Sequence, residues 1–118
     1  MTNKTKGDYG ENTALGYLAA KGYQILATNY TAAGGEIDII AVDGEYIVFI
    51  EVKYRRSMAF GHVSEAVTPT KTRRLIKAAK AYLYKQDMWE APCRFDIIEV
   101  FGREMLEINH IENAFWEN

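Results

Sequence analysis

Glu36, Asp38, Glu51 and Lys53 are charged residues inside stretches that otherwise read as core strands. Asp38 interrupts the run Ile37 to Ala41. Glu51-Val52-Lys53 directly follows Tyr46-Ile-Val-Phe-Ile50, whose composition suits a strand buried on both faces. Carboxylates in such surroundings are expensive unless they are paired or hold a metal. Acids offering oxygen ligands suit a hard divalent cation, with magnesium and manganese the natural candidates.

The expected hairpin brings these residues together. If Asp43-Gly44 are the central residues of a type I′ turn, Val42 faces Glu45, Ile40 faces Ile47, Asp38 faces Phe49 and Glu36 faces Glu51. Alternation then places Glu36, Asp38, Glu51 and Lys53 on one face of the sheet. Asp38 and Glu51 become diagonal neighbours, roughly 5–8 Å apart at Cβ. Two carboxylates about 6 Å apart repel by roughly 3 kcal/mol at an effective dielectric near 20. Lys53 alone does not balance three acids.

The elements that must position this group can be read in order. Asp8 to Lys21 has helical spacing, with Ala14, Leu15, Leu18 and Ala19 as the apolar stripe and Gly22 as the stop. Tyr23 to Thr28 reads as a first strand, followed by the hairpin strands Glu36 to Val42 and Glu45 to Arg55. Ser57 to Val67 reads as a loop. Thr68 is a good N-cap with Pro69 at the first helical position, and the helix runs to about Gln86, burying Leu75, Ile76, Ala79, Tyr82 and Leu83. Arg94 to Phe101 and Met105 to Ile111 are two last strands joined by a tight Gly102-Arg103 turn. Ala114-Phe115-Trp116 closes the chain with an apolar patch.

Asp38, followed thirteen positions later by Glu51-Val52-Lys53 on the next strand, resembles the acidic core of the PD-(D/E)XK nuclease superfamily. Ile37 stands where the superfamily's name has proline, at a position that varies. A longer ordered set resembles the YraN-like family, small bacterial proteins related to archaeal Holliday-junction resolvases. It comprises Gly10-Glu11, Ala14, Tyr17-Leu18, Gly22 to Leu26, Asn29, Gly35 to Ile40, Phe49 to Arg55, Lys71, Arg74-Leu75, Ala78 and Cys93 to Asp96. The resemblance implies an α/β restriction-endonuclease-like fold. Its αβββαβ core would have a central mixed sheet flanked by helices, and one extra C-terminal strand matches the element order above.

The resemblance also implies a site. Asp38, Glu51, the Val52 backbone carbonyl and Glu11 would hold Mg²⁺ or Mn²⁺, and Lys53 would orient or help deprotonate the attacking water. DNA, branched or flapped, would be the substrate, and because resolvases cut two strands a homodimer is possible. Arg55 and Lys71 are the candidate phosphate contacts. Gly35, after Gly34, would let a phosphate backbone approach closely, and Glu36 would support the acidic pair. Plainer readings exist for each. Glu51 and Lys53 could form a buried ion pair that fixes strand register. Glu11 could be a solvated acid favoured by the helix dipole. Arg73, Lys77 and Lys80 read as a solvated helix face, His62 and His110 as structural, and Arg94 and Asp96 as strand-edge or salt-bridge residues. A nucleic-acid-binding or protein-interaction module without catalysis would carry the same letters.

Composition sets the outer limits. The 118 residues suit one domain, and 48% hydrophobic with 25% charged residues is ordinary for a globular protein. No apolar stretch approaches the length of a bilayer span and no signal-peptide core is evident, so the cytoplasm is the expected compartment. The single Cys93 leaves no internal disulfide or cysteine zinc site. The net charge of −2 is unevenly spread: residues 1–86 carry twelve Lys and Arg against eight acids, and residues 87–118 carry two against eight. The basic excess thus lies in the part that carries the candidate site, where it could meet phosphates.

Overall fold

The computed structural model describes residues 3–55, 68–102 and 104–115, with side chains from Tyr9 onward. The elements are α1 (Asn3–Ala20), β1 (Gln24–Ala32), β2 (Gly35–Asp43), β3 (Tyr46–Arg55), α2 (Pro69–Lys85), β4 (Cys93–Phe101) and β5 (Glu107–Ile111). The expected loop Ser57 to Val67, with His62, lies outside the described residues, as do Arg103 and Trp116. The observed order is the αβββαβ core plus one C-terminal strand.

One five-stranded sheet runs in the order β1-β2-β3-β4-β5. Every neighbouring pair is antiparallel except β3 and β4, which are parallel. A parallel pair needs a long crossover, and α2 lies within it. Thr68 caps α2 by accepting from the Lys71 amide, and Pro69 occupies its first position.

Strand alternation sends side chains to two cores, one under each helix. Val48 and Ile50 join Ile39, Ala41, Ile98 and Val100 beneath Ala14 and Leu18 of α1. Ile47 and Phe49 join Ile40 and Phe95 beneath Leu75, Ile76, Ala79, Tyr82 and Leu83 of α2. The α1 stripe is narrower than its spacing predicts, because Ala19 faces solvent. Phe115 packs against Phe95 with ring centroids 5.1 Å apart and so closes the α2 side.

Two local expectations are corrected. β1 continues four residues past Thr28, to Ala32. The β2–β3 register pairs Asp43 with Tyr46 and Ile40 with Phe49, two residues from the expected alignment. The turn residues are Gly44 and Glu45, and only Gly44 has positive φ (61°), the sign pattern of a type II′ turn. Asp43 stays in the strand because its Oδ2 accepts from Arg94 at 3.1 Å. A shift of two residues keeps every side chain on its face.

Alternation fails at one place. Ile37 and Ile39 are two residues apart, yet Ile37 packs under α2 and Ile39 under α1. β2 therefore turns about its own axis through Asp38. Opposite, the pairs Thr28↔Ile39 and Tyr30↔Ile37 bracket Asn29, which adopts φ 50°, a conformation asparagine tolerates better than most residues.

Candidate active site

The β2–β3 ladder ends at Ile39↔Ile50, so Asp38 and Glu51 are the next residues along the two strands. The predicted pair is thus brought closer to face-to-face than the diagonal of the expected register. Beyond that last rung the Val52 amide donates to Asp38 Oδ2 at 2.8 Å. In a strand the N–H and C=O of one residue point to the same neighbour, so the Val52 carbonyl also faces β2.

Electrostatics follow from burial. Glu51 is 5% exposed, and burial together with the Glu51 charge pushes the Asp38 carboxyl up to about 7. The Val52 amide offsets part of this rise, and Glu11 adds to it. Two lysines converge on one oxygen of Glu51. Lys53 Nζ lies 3.5 Å from Oε1, and Lys71 Nζ lies 2.5 Å from the same atom. Burial, then the hydrogen bond with Lys71, lowers Lys53 below the ordinary lysine value. Burial acts to lower Lys71 as well, but its hydrogen bonds to Glu51 and Lys53 outweigh it and the net shift is upward.

Glu11 reaches this neighbourhood from α1. A Cβ on Gly10 would lie 3.0 Å from the Tyr54 Cβ, so the helix rests tightly on β3 next to Lys53. Glu11 Oε1 accepts from Asn29 Nδ2 at 2.9 Å. Among the described residues, no three His, Cys, Asp or Glu side chains converge as a metal cage. Asp38 and Glu51, with the Val52 carbonyl facing the same gap, still fit magnesium or manganese, which commonly take one or two carboxylates and keep waters. A buried carboxyl beside a half-buried one that is pushed up to about 7 is the donor chemistry a divalent cation would relieve.

The remaining predicted residues take distinct places. Arg55 pairs with Glu99 at 2.7 Å, a buried acid of β4. Glu36 is exposed and lines an open groove of about 670 Å³ between the β1–β2 turn and the start of α2. Lys71, Arg74, Thr68, Thr70 and Thr31 line it too. Gly35 also lies on the groove, but the Arg74 carbonyl occupies the space its Cβ would need, so its bareness serves helix packing.

The model of the Uncharacterised protein family UPF0102 matches residues 10–100. This chain belongs to the UPF0102 family. It is 47% identical over 115 residues to a UPF0102 protein of Clostridioides difficile (strain 630), covering 98% of this chain and 100% of the relative. UPF0102 proteins of Caldicellulosiruptor saccharolyticus and Chlorobium limicola are 44% and 46% identical, over 98% and 94% of this chain and 100% and 92% of their own lengths.

Two features of this UPF0102 chain escape the sequence reading. Glu99 is an acid within Ile97-Ile98-Glu99-Val100-Phe101, the same anomaly that marks Glu51. Asn29 is the partner of Glu11, and only its place before the hairpin hints at that. The expected salt bridge of Arg94 and Asp96 is present and larger than expected. Asp96 is fully buried and accepts from Arg94 Nε at 2.9 Å, Arg94 Nη2 at 3.0 Å and the Asn113 amide at 3.1 Å, with His110 Nε2 at 2.7 Å. This group lies on the α1 side and takes no part in the acidic pair. Among the described residues no helix is long and apolar enough to cross a membrane.

Proposed function

We propose that this chain is a Mg²⁺- or Mn²⁺-dependent nuclease that hydrolyses DNA phosphodiester bonds, with branched or junction DNA as its substrate class. The observation that carries the reading is the pair of half-buried Asp38 and buried Glu51 at the end of the β2–β3 ladder, with Lys53 at 3.5 Å from Glu51. Asp38, Glu51 and the Val52 carbonyl would hold the cation, with Glu11 adding negative potential behind them. When bound, the cation polarises the phosphate and acidifies water. Burial holds Lys53 below the ordinary lysine value, the direction that suits a group exchanging a proton with the attacking water or the leaving oxygen. Lys71 and Arg74 would hold the flanking phosphates from the groove.

The test compares wild type with the double variant Asp38→Asn/Glu51→Gln. Both are incubated with labelled linear, flap and four-way-junction DNA in Mg²⁺, Mn²⁺ or EDTA. Cation-dependent cleavage by wild type alone is the expected outcome, and its absence on every substrate would overturn the reading. One observation favours a second reading, a nucleic-acid-binding module without catalysis: Lys71 already occupies the Glu51 oxygen. That reading predicts DNA affinity indifferent to cations and to loss of Asp38.

A further inference from the structure

Lys71 stands at a boundary. Its ammonium is the closest cation to Glu51 Oε1, at 2.5 Å, while the residue also lines the groove at the start of α2. The side chain is 36% exposed, so it is not locked into the interior. Lys53 reaches the same Glu51 oxygen from β3, only two residues along the strand. Among the described residues Glu51 therefore has two cations on one oxygen, and one of them is a long side chain at the edge of the groove. A lysine side chain has a long flexible stem and three donors, so it re-aims at low cost.

We infer that Lys71 is an exchangeable counter-ion of Glu51, which a divalent cation displaces and so hands to the groove as a phosphate-binding group. The inference rests on the metal reading above and adds an order of events to it. A cation at Asp38 and Glu51 would repel the Lys71 ammonium, and the vacated lysine would join Arg74, Thr68 and Thr70 along the groove wall. Metal and the phosphodiester backbone would then favour one another, a coupling that is reciprocal by thermodynamic necessity. Arg74 lines the groove without an ion pair to Glu51 among the described residues, which makes it the internal control.

The experiment measures binding, not turnover. Mn²⁺ is titrated calorimetrically into wild type, Lys71→Gln, Lys71→Met and Arg74→Gln. Each protein is then tested by anisotropy with labelled flap DNA in EDTA and in Ca²⁺. Loss of the competing ammonium is expected to tighten Mn²⁺ binding about fivefold in both Lys71 variants, the order appropriate to one partly exposed charge contact. Arg74→Gln should leave Mn²⁺ affinity unchanged. Ca²⁺ should tighten DNA binding by wild type and by Arg74→Gln, and not by the Lys71 variants. Equal or weaker Mn²⁺ binding without Lys71 would overturn this inference alone, as would a Ca²⁺ gain that survives its loss. Absence of Mn²⁺ binding by every protein would overturn the metal reading together with it.

Discussion

The Val52 amide donates to Asp38 Oδ2 at 2.8 Å, so the backbone of β3 holds the first acid of the site by a hydrogen bond from just past the last rung of the ladder. Asn keeps an acceptor at that position and Ala does not. Asp38→Asn is expected to fold and to lose cation binding and cleavage. Asp38→Ala should lose both and in addition cost about 1 kcal/mol, the lower end of the penalty for an unpaired donor, since the Val52 amide is only partly buried. Urea unfolding of the two variants in EDTA, beside cleavage assays, separates the effects.

Stability without metal should fall as pH rises toward neutrality. The Asp38 carboxyl titrates at about 7 in the folded protein, against an ordinary value near 4 in the unfolded chain. Between those values the folded state binds the proton that the unfolded state has lost. Stability therefore decreases from about pH 4 to about pH 7 and levels off above. Unfolding midpoints at pH 5 and pH 8 in EDTA should show the decline in wild type and a flatter profile in Asp38→Asn. A flat wild-type profile would refute it.

Asp96 has the opposite sign. Burial acts to raise its carboxyl, but His110, Arg94 and the Asn113 amide outweigh burial and hold it below the ordinary range. Its contribution is present above the unfolded value and is lost as pH falls through the folded one. Asp96→Asn would turn an amide nitrogen toward donors from three residues and leave Arg94 short of its counter-charge. A loss of about 3–5 kcal/mol is expected at neutral pH, with a smaller gap from wild type in acid. Acid titrations followed by circular dichroism measure both.

Gly35→Ala sets a methyl against the Arg74 carbonyl. Neither strand nor helix backbone yields easily there, so a cost of about 1–3 kcal/mol is expected. Because α2 carries Lys71, the same change should disturb the lysine's reach to Glu51. Thermal unfolding combined with Mn²⁺ titration reads both consequences.

Arg74→Glu is expected to fold normally, since Arg74 is exposed. DNA binding should weaken on linear and branched substrates alike. The slope of log affinity against log salt should lessen by about one, as for one lost phosphate contact. An unchanged slope would remove the groove from the binding surface.

The acidic pair was legible because charge in an apolar strand is a conspicuous cost, and Asp38, Glu51 and Lys53 all pay it. The hairpin register was misplaced by two because Asp43-Gly44 matches a favoured turn pair, whereas Arg94, fifty-one residues away, holds Asp43 in the strand. The faces survived that error, since strand periodicity is two. What sequence could not supply was tertiary. The approach of Lys71 to Glu51 depends on how α2 lies over the sheet, and the turn of β2 through Asp38 shows only in which core each isoleucine joins. Glu99 carries the same signal as Glu51, an acid inside an apolar strand, but without a family motif around it.

The one parallel pairing, β3 with β4, has a consequence for how the chain acquires its site. The other three strand pairs join sequence neighbours and can form early as local hairpins. Only the β3–β4 ladder must wait for a long loop to close, and α2 lies inside that loop. A partly folded chain with its β2–β3 hairpin formed already sets Asp38 beside Glu51, but it has neither the Lys71 counter-ion nor Glu99 for Arg55. Until the crossover docks, the acids have only Lys53 of their own hairpin beside them, and closure brings Lys71 of α2 as a second counter-charge. The site is thus complete only when the one non-local strand pairing has formed.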